Sequence, residues 1–273
     1  MSRRATGATA LRVVQQLRRD PRTIALIVVV PCVLIFLVDQ LFADREEVFR
    51  QVGVPLLGLF PLVSMFLVTS ITMLRERTSG TLERLLALPL AKLDLLLGYA
   101  VAFAALATVQ GIVVSVVGFG LLGLEAASST ALVVTLAVAN AVLGMALGLF
   151  LSAYARTEFQ AVQFMPAFVL PQILLCGLIV PRDQMAEWLQ WIAAVMPFTY
   201  AYDALSRAAT ESALDARFWL DVAVVVGVTV LALALGAATL RAPYALSRRR
   251  TVPVPCRDAE SVAIAPQSEA TSP

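Results

Sequence analysis

The sequence predicts an all-α membrane protein: six transmembrane helices, with an N-terminal interfacial helix ahead of them. Three observations carry that prediction. Hydrophobic residues fill 59% of the 273 positions and charged residues 15%, against roughly 45–50% and about 25% in soluble domains. The charges are clustered and leave long stretches with none, and a helix needs about 20 apolar residues to cross the ~30 Å hydrocarbon layer. Runs such as Ile24 to Val38 do not alternate apolar with polar residues, as the strands of a membrane barrel would.

Taken in order, residues 1–21 form a polar N-terminal segment. Within it, residues 8–20 read as an amphipathic helix: Leu11, Val14 and Leu17 recur at helical spacing, Arg12, Arg18 and Arg19 supply the polar side, and Pro21 ends it. Such a helix lies flat among the headgroups, a reading compatible with an ordinary arginine-rich flank. Residues 22–240 hold the six spans, at about 22–42, 52–74, 95–120, 129–152, 161–181 and 218–240. The first is long for a signal-peptide core, lacks a small-x-small cleavage site, and precedes five more spans, so it is expected to be retained. Residues 241–273 open with Arg248, Arg249 and Arg250, turn to Pro, Ser, Thr and Glu, and are expected to be a disordered tail.

Lys and Arg in the connections set the expected orientation. With a cytoplasmic N-terminus, the inner segments hold 6, 4, 1 and 5, sixteen in all, and the outer ones hold Arg45, Arg50, Arg182, Arg207 and Arg217. Both termini are therefore expected in the cytoplasm.

Residues 75–97 join the second and third spans. In Arg75-Glu76-Arg77-Thr78-Ser79-Gly80-Thr81-Leu82-Glu83-Arg84-Leu85-Leu86-Ala87-Leu88-Pro89, Ser79 or Gly80 can cap a helix with Glu83 in its first turn. Leu82, Leu85 and Leu86 share a face, and Pro89 stops the helix. The segment reads either as a solvated loop of topogenic charge or as a docking helix for a cytoplasmic partner. The outer connection, residues 182–217, carries an apolar stripe of Met185, Trp188, Leu189 and Ile192, then Pro197. That stripe predicts a helix lying on the membrane or dipping into it. Taken singly, Trp188, Trp191, Tyr200 and Tyr202 read as an interfacial aromatic belt.

Several chemistries are excluded. Lys92 is the single lysine and lies between Ala91 and Leu93, so no G-x-x-x-x-G-K-[ST] phosphate loop exists. With no histidine, zinc catalysis and Ser-His-Asp hydrolysis lack their usual residues. The spans offer Thr108, Gln110, Ser115, Thr135, Asn140, Gln163 and Gln172, with Asp39 and Glu158 near span ends. An intramembrane charge costs at least ~2.5 kcal/mol and is kept for function, so the lack of central charges argues against an ion-driven carrier. Cys32, Cys176 and Cys256 have no paired or metal-ligand spacing and read as structurally neutral.

Glu76, Gly80-Thr81, Glu83, Leu85-Leu86, Pro89 and Gly98 resemble the cytoplasmic loop of type-2 ABC exporter permeases. Pro181, Trp188, Pro197 and Tyr200 through Arg207 resemble the family's outer segment. With the six spans, the resemblance covers nearly the whole chain. It implies a connecting helix at the N-terminus, a coupling helix docking on a separate ATPase, and short re-entrant helices at the exit. It implies that Glu76, Arg77, Gly80, Thr81, Glu83 and Arg84 face the ATPase, that Trp188, Pro197 and Tyr200 belong to an outer gate, and that Gln163 and Gln172 line the path. The implied protein is a permease subunit of a bacterial inner-membrane exporter of drug-like or lipid-like molecules. It pairs with a second permease copy and two ATPase subunits that bind ATP and Mg, needs no cofactor of its own, contacts membrane lipid and binds no nucleic acid. A non-transporting membrane anchor or assembly factor and, less well supported, a secondary carrier are the alternatives.

Overall fold

The structure, a computed structural model, describes residues 3–79 and 92–239. Among them the chain is helical, without strands: α1 (Arg3–Arg18), α2 (Pro21–Leu41), α3 (Glu46–Thr78), α4 (Lys92–Val116, continued by a π-turn at Val117–Leu121) and α5 (Thr130–Leu151). There follow α6 (Glu158–Phe164), a π-turn (Met165–Val169), α7 (Leu170–Leu175), a 3₁₀ turn (Arg182–Gln184), α8 (Glu187–Val195), α9 (Pro197–Thr210) and α10 (Ala216–Thr239). The tail and the middle of the predicted coupling segment, including Gly80, Thr81, Glu83 and Arg84, lie outside the described residues.

Helices α2, α3, α4, α5 and α10 are each long and apolar enough to cross a membrane. The fifth predicted span, 161–181, differs. Its helical run starts at Glu158, passes through a π-turn and stops at Leu175, with turns and bends following. Pro166 and Pro171 each remove a backbone donor from the ladder, and a π-turn is a usual way to absorb such a defect. Gly177, at φ +105°, turns the chain out of the run.

Boundaries elsewhere follow capping chemistry. Asp20 accepts from the Thr23 amide with Pro21 at the first helical position, Ser129 accepts from Leu132 N–H, and Thr157 from Gln160 N–H. Helix α3, 33 residues long, overruns the predicted second span at both ends and stops with Ser79 at its C-cap.

The core forms around α3 and α5. A Cβ at Gly144 would fall on the Leu62 carbonyl, and one at Gly148 on Thr69 Oγ1 and the Phe66 carbonyl. This four-residue glycine spacing lets the two backbones approach directly, as small residues do between membrane helices. Leu57, Leu62, Phe66, Leu143 and Ala146 are buried along this seam. Helices α2 and α10 lie outside it and expose apolar faces, including Leu26, Val29 and Phe36 on one and Trp219, Val230 and Leu231 on the other. Such faces suit lipid.

Candidate functional site

At the end of the bundle where α1 lies, α1 packs against the start of α4. A Cβ on Gly98 would meet the Thr9 side chain at 2.5 and 2.7 Å, so only glycine permits this approach. Val13 and Thr9 are buried here, whereas Leu11 is 60% exposed. Val14 and Leu17 of the predicted stripe pack against the core while Leu11 does not, so the inward face is shifted toward Thr9 and Val13, and Arg12, assigned to the polar side, turns inward. Its Nη2 donates to Glu76 Oε2 at 3.1 Å and to Tyr99 Oη at 3.1 Å.

Glu76 is 4% exposed and accepts three hydrogen bonds, from Arg12, from Gln16 Nε2 at 2.9 Å and from Tyr99 Oη at 2.9 Å. A buried carboxylate is tolerated only when paired and hydrogen-bonded, and here one side chain collects donors from α1 and α4 onto the last turn of α3. The resemblance places Glu76 toward an ATPase. In the structure it lies in the helix junction, where its hydrogen-bond donors stand on α1 and α4.

The preceding residue points elsewhere. Arg75 Nε and Nη2 each donate to the Glu158 carboxylate at 2.9 Å, a bidentate pair that ties α3 to the start of α6. The guanidinium holds the Glu158 carboxyl below its usual range. Arg77 is half-buried in the same turn. Of the predicted ATPase-facing set, Glu76 and Arg77 thus sit at the root of a segment whose remaining members are not among the described residues.

At the opposite end, α8 and α9 form a hairpin. Ala208 and Ala209 carbonyls accept from the Ser128 and Ala127 amides at 3.1 and 2.9 Å, level with the entrance of α5, while the Ala201 carbonyl accepts from Asn140 Nδ2 at 3.2 Å. Asn140 is ten residues inside α5, about 15 Å at 1.5 Å per residue, near the middle of a ~30 Å layer. The hairpin therefore dips into the bundle, as the apolar stripe predicted. Thr199 Oγ1 and Tyr200 Oη close it by donating to the Ala193 and Ala194 carbonyls at 2.8 and 2.6 Å. Pro197 starts α9 at a position that needs no N–H, and Trp188 is 64% exposed.

The two glutamines have different surroundings. Gln172 is buried, donates to the Phe168 carbonyl at 3.0 Å and accepts from Phe198 N–H at 3.5 Å, joining α7 to α9. Gln163 is exposed on α6.

A charged network at this end escaped the sequence reading. Arg182 pairs with Asp203, and Arg207 lies 3.4 Å from Asp215, 3.5 Å from Glu211 and 3.7 Å from Asp221, itself 1% exposed. Asp221 lies inside the sixth predicted span, yet nothing nearby in sequence signals its partner Arg207 on the connection 182–217.

The chain matches the ABC-2 type transporter family over residues 4–209. It is 33% identical over 147 residues to the probable multidrug ABC transporter permease YbhR of Escherichia coli K12, covering 53% of this chain and 40% of that protein. It is 28% identical over 138 residues to ABC transporter G family member 20 of Dictyostelium discoideum, covering 50% of this chain and 19% of that protein. The match thus spans well under half the length of these curated relatives. A family match over three-quarters of the chain, together with five long apolar helices, makes this a multi-pass membrane protein of the ABC-2 type transporter family.

Proposed function

We propose that the chain is the membrane subunit of an ATP-driven exporter that moves a lipophilic or amphipathic molecule, drug-like or lipid-like, out of the cell. A separate ATPase subunit binds ATP and Mg and supplies the energy. Two permease chains and two ATPases form the working unit in a bacterial inner membrane, with both termini cytoplasmic in keeping with the arginine bias.

The observation that carries this reading is the junction at the end of α3. Glu76 is fastened to α1 and α4, and Arg75 to α6, so four helices converge where the predicted coupling segment leaves the bundle. A partner pushing on that segment moves all four together. The multidrug name of the Escherichia coli relative supports export of amphiphiles.

The test is purification of the chain from its native membrane in mild detergent, with identification of co-purifying subunits and an ATPase assay. An ATPase subunit is expected, and Glu83→Ala is expected to leave the chain folded and inserted while weakening that association. Full association and transport in Glu83→Ala would refute the coupling assignment. Recovery of the chain without an ATPase would favour a membrane anchor.

A further inference from the structure

Two adjoining cavities lie between α2 and α3 at the end roofed by α1. One, of about 300 Å³, has mixed walls, apolar at Val13 and Leu17 and charged or hydroxyl-bearing at Asp20, Thr72, Arg75 and Glu76. The second, of about 320 Å³, shares Thr23, Thr72 and Arg75 with the first and continues between Leu26, Ile27 and Val30 of α2 and Leu67, Val68 and Ile71 of α3 down to Ser64. Together they make one groove with a charged, hydroxyl-rich head and an apolar body.

We infer that this groove holds one membrane phospholipid from the leaflet on the N-terminal side, with its phosphate at the head and an acyl chain along the body. Three features select that occupant. Ser64 and Arg75 are eleven residues apart on α3, about 16 Å along the helix, which matches one leaflet of a ~30 Å hydrocarbon layer. The head lies beneath α1, at the level where an interfacial helix meets headgroups. The body opens toward the exposed apolar face of α2, where Leu26 and Val30 continue into Val33 and Leu37, so a chain can enter sideways from the bilayer.

The head also suits a zwitterionic headgroup. Arg75 spends two of its five N–H donors on Glu158 and lines the groove with Thr72; its remaining N–H donors and the Thr72 hydroxyl can meet a phosphodiester. The Asp20 carboxylate, which accepts from the Thr23 amide at 3.3 Å and hydroxyl at 2.7 Å, adds a negative charge to the lining that a headgroup amine complements. The site does not depend on the transport reading.

The full chain, reconstituted in bilayers of phosphatidylethanolamine and phosphatidylglycerol, is labelled with a phosphatidylethanolamine bearing a diazirine in its acyl chain, and the labelled peptides are mapped. Residues 23–30 and 64–75 are expected to label about fivefold above the equally apolar exposed faces of α4 and α10. Val68→Phe, which fills the body, is expected to abolish the enrichment, while Val68→Ala, which widens it, retains labelling. Thr72→Val is expected to weaken labelling about threefold. Labelling in proportion to exposure alone would overturn the site in favour of bulk lipid. As a second measurement, intact-mass analysis of the chain purified from its own membrane is expected to show one retained phospholipid. A retained amphiphile that is not a phospholipid would overturn the assignment and mark the groove as a cargo site, and no retained mass would overturn a resident lipid.

Discussion

Gln110 donates from Nε2 to the carbonyl of Ile27 at 2.8 Å. That carbonyl is the one left without its helical partner by Pro31, four residues on, which has no N–H. A side chain of α4 thus repairs a break in α2 where no water is at hand, as a membrane requires. Ser64 Oγ accepts from the same amide nitrogen, so the repair also joins α3.

Gln110→Leu leaves the Ile27 carbonyl unsatisfied and is expected to cost about 1–3 kcal/mol. Restoring the backbone donor with Pro31→Ala should make Gln110→Leu much milder. Thermal unfolding in detergent of both single variants and the double variant measures the coupling, and additivity would show that the two residues act separately.

Gly144→Ala places a methyl group on the Leu62 carbonyl and is expected to destabilise the chain by about 1–3 kcal/mol. Gly227→Ala, on α10 with nothing within 4 Å of its Cβ position, is expected to be neutral or to stabilise by up to about 1 kcal/mol. The difference in melting temperature between the two variants tests whether backbone contact sets the α3–α5 spacing.

Much of this was legible in the sequence, and the failures share a cause. The uninterrupted run from Ile24 to Val38 suffices to place α2, because apolar length alone decides a span. The hairpin was announced by Trp188, Leu189 and Ile192 ahead of Pro197. The inward face of α1 was legible only in part: Val14 and Leu17 pack inward, but Gly98, 89 residues from Thr9, brings Thr9 and Val13 to α4 in place of Leu11. Asp221 went unnoticed because Arg207, which makes its burial tolerable, sits on another helix. The break in the fifth stretch was missed although Pro166 and Pro171 stand in it, because only a count of backbone donors turns prolines into a π-turn.

The two ion pairs at the end of α3 should respond differently to mutation. Arg12→Gln removes a charged donor from a buried carboxylate that keeps Gln16 and Tyr99, and is expected to cost about 1–3 kcal/mol. Glu158→Gln breaks a pair whose side chains are 59% and 52% exposed and should cost no more than about 1 kcal/mol, less at high salt. Melting temperatures at low and high ionic strength separate the two cases.

Arg75 and Glu76 are consecutive on a helix of 3.6 residues per turn, so their side chains leave it about 100° apart. Each is fastened to different neighbours, Arg75 to α6 and Glu76 to α1 and α4. Restraints on two sides of one turn oppose rotation of α3 about its own axis more than they oppose tilting. Over 33 residues, about 50 Å of helix, a tilt of a few degrees at this end becomes a shift of several ångströms at the far one, beside the hairpin.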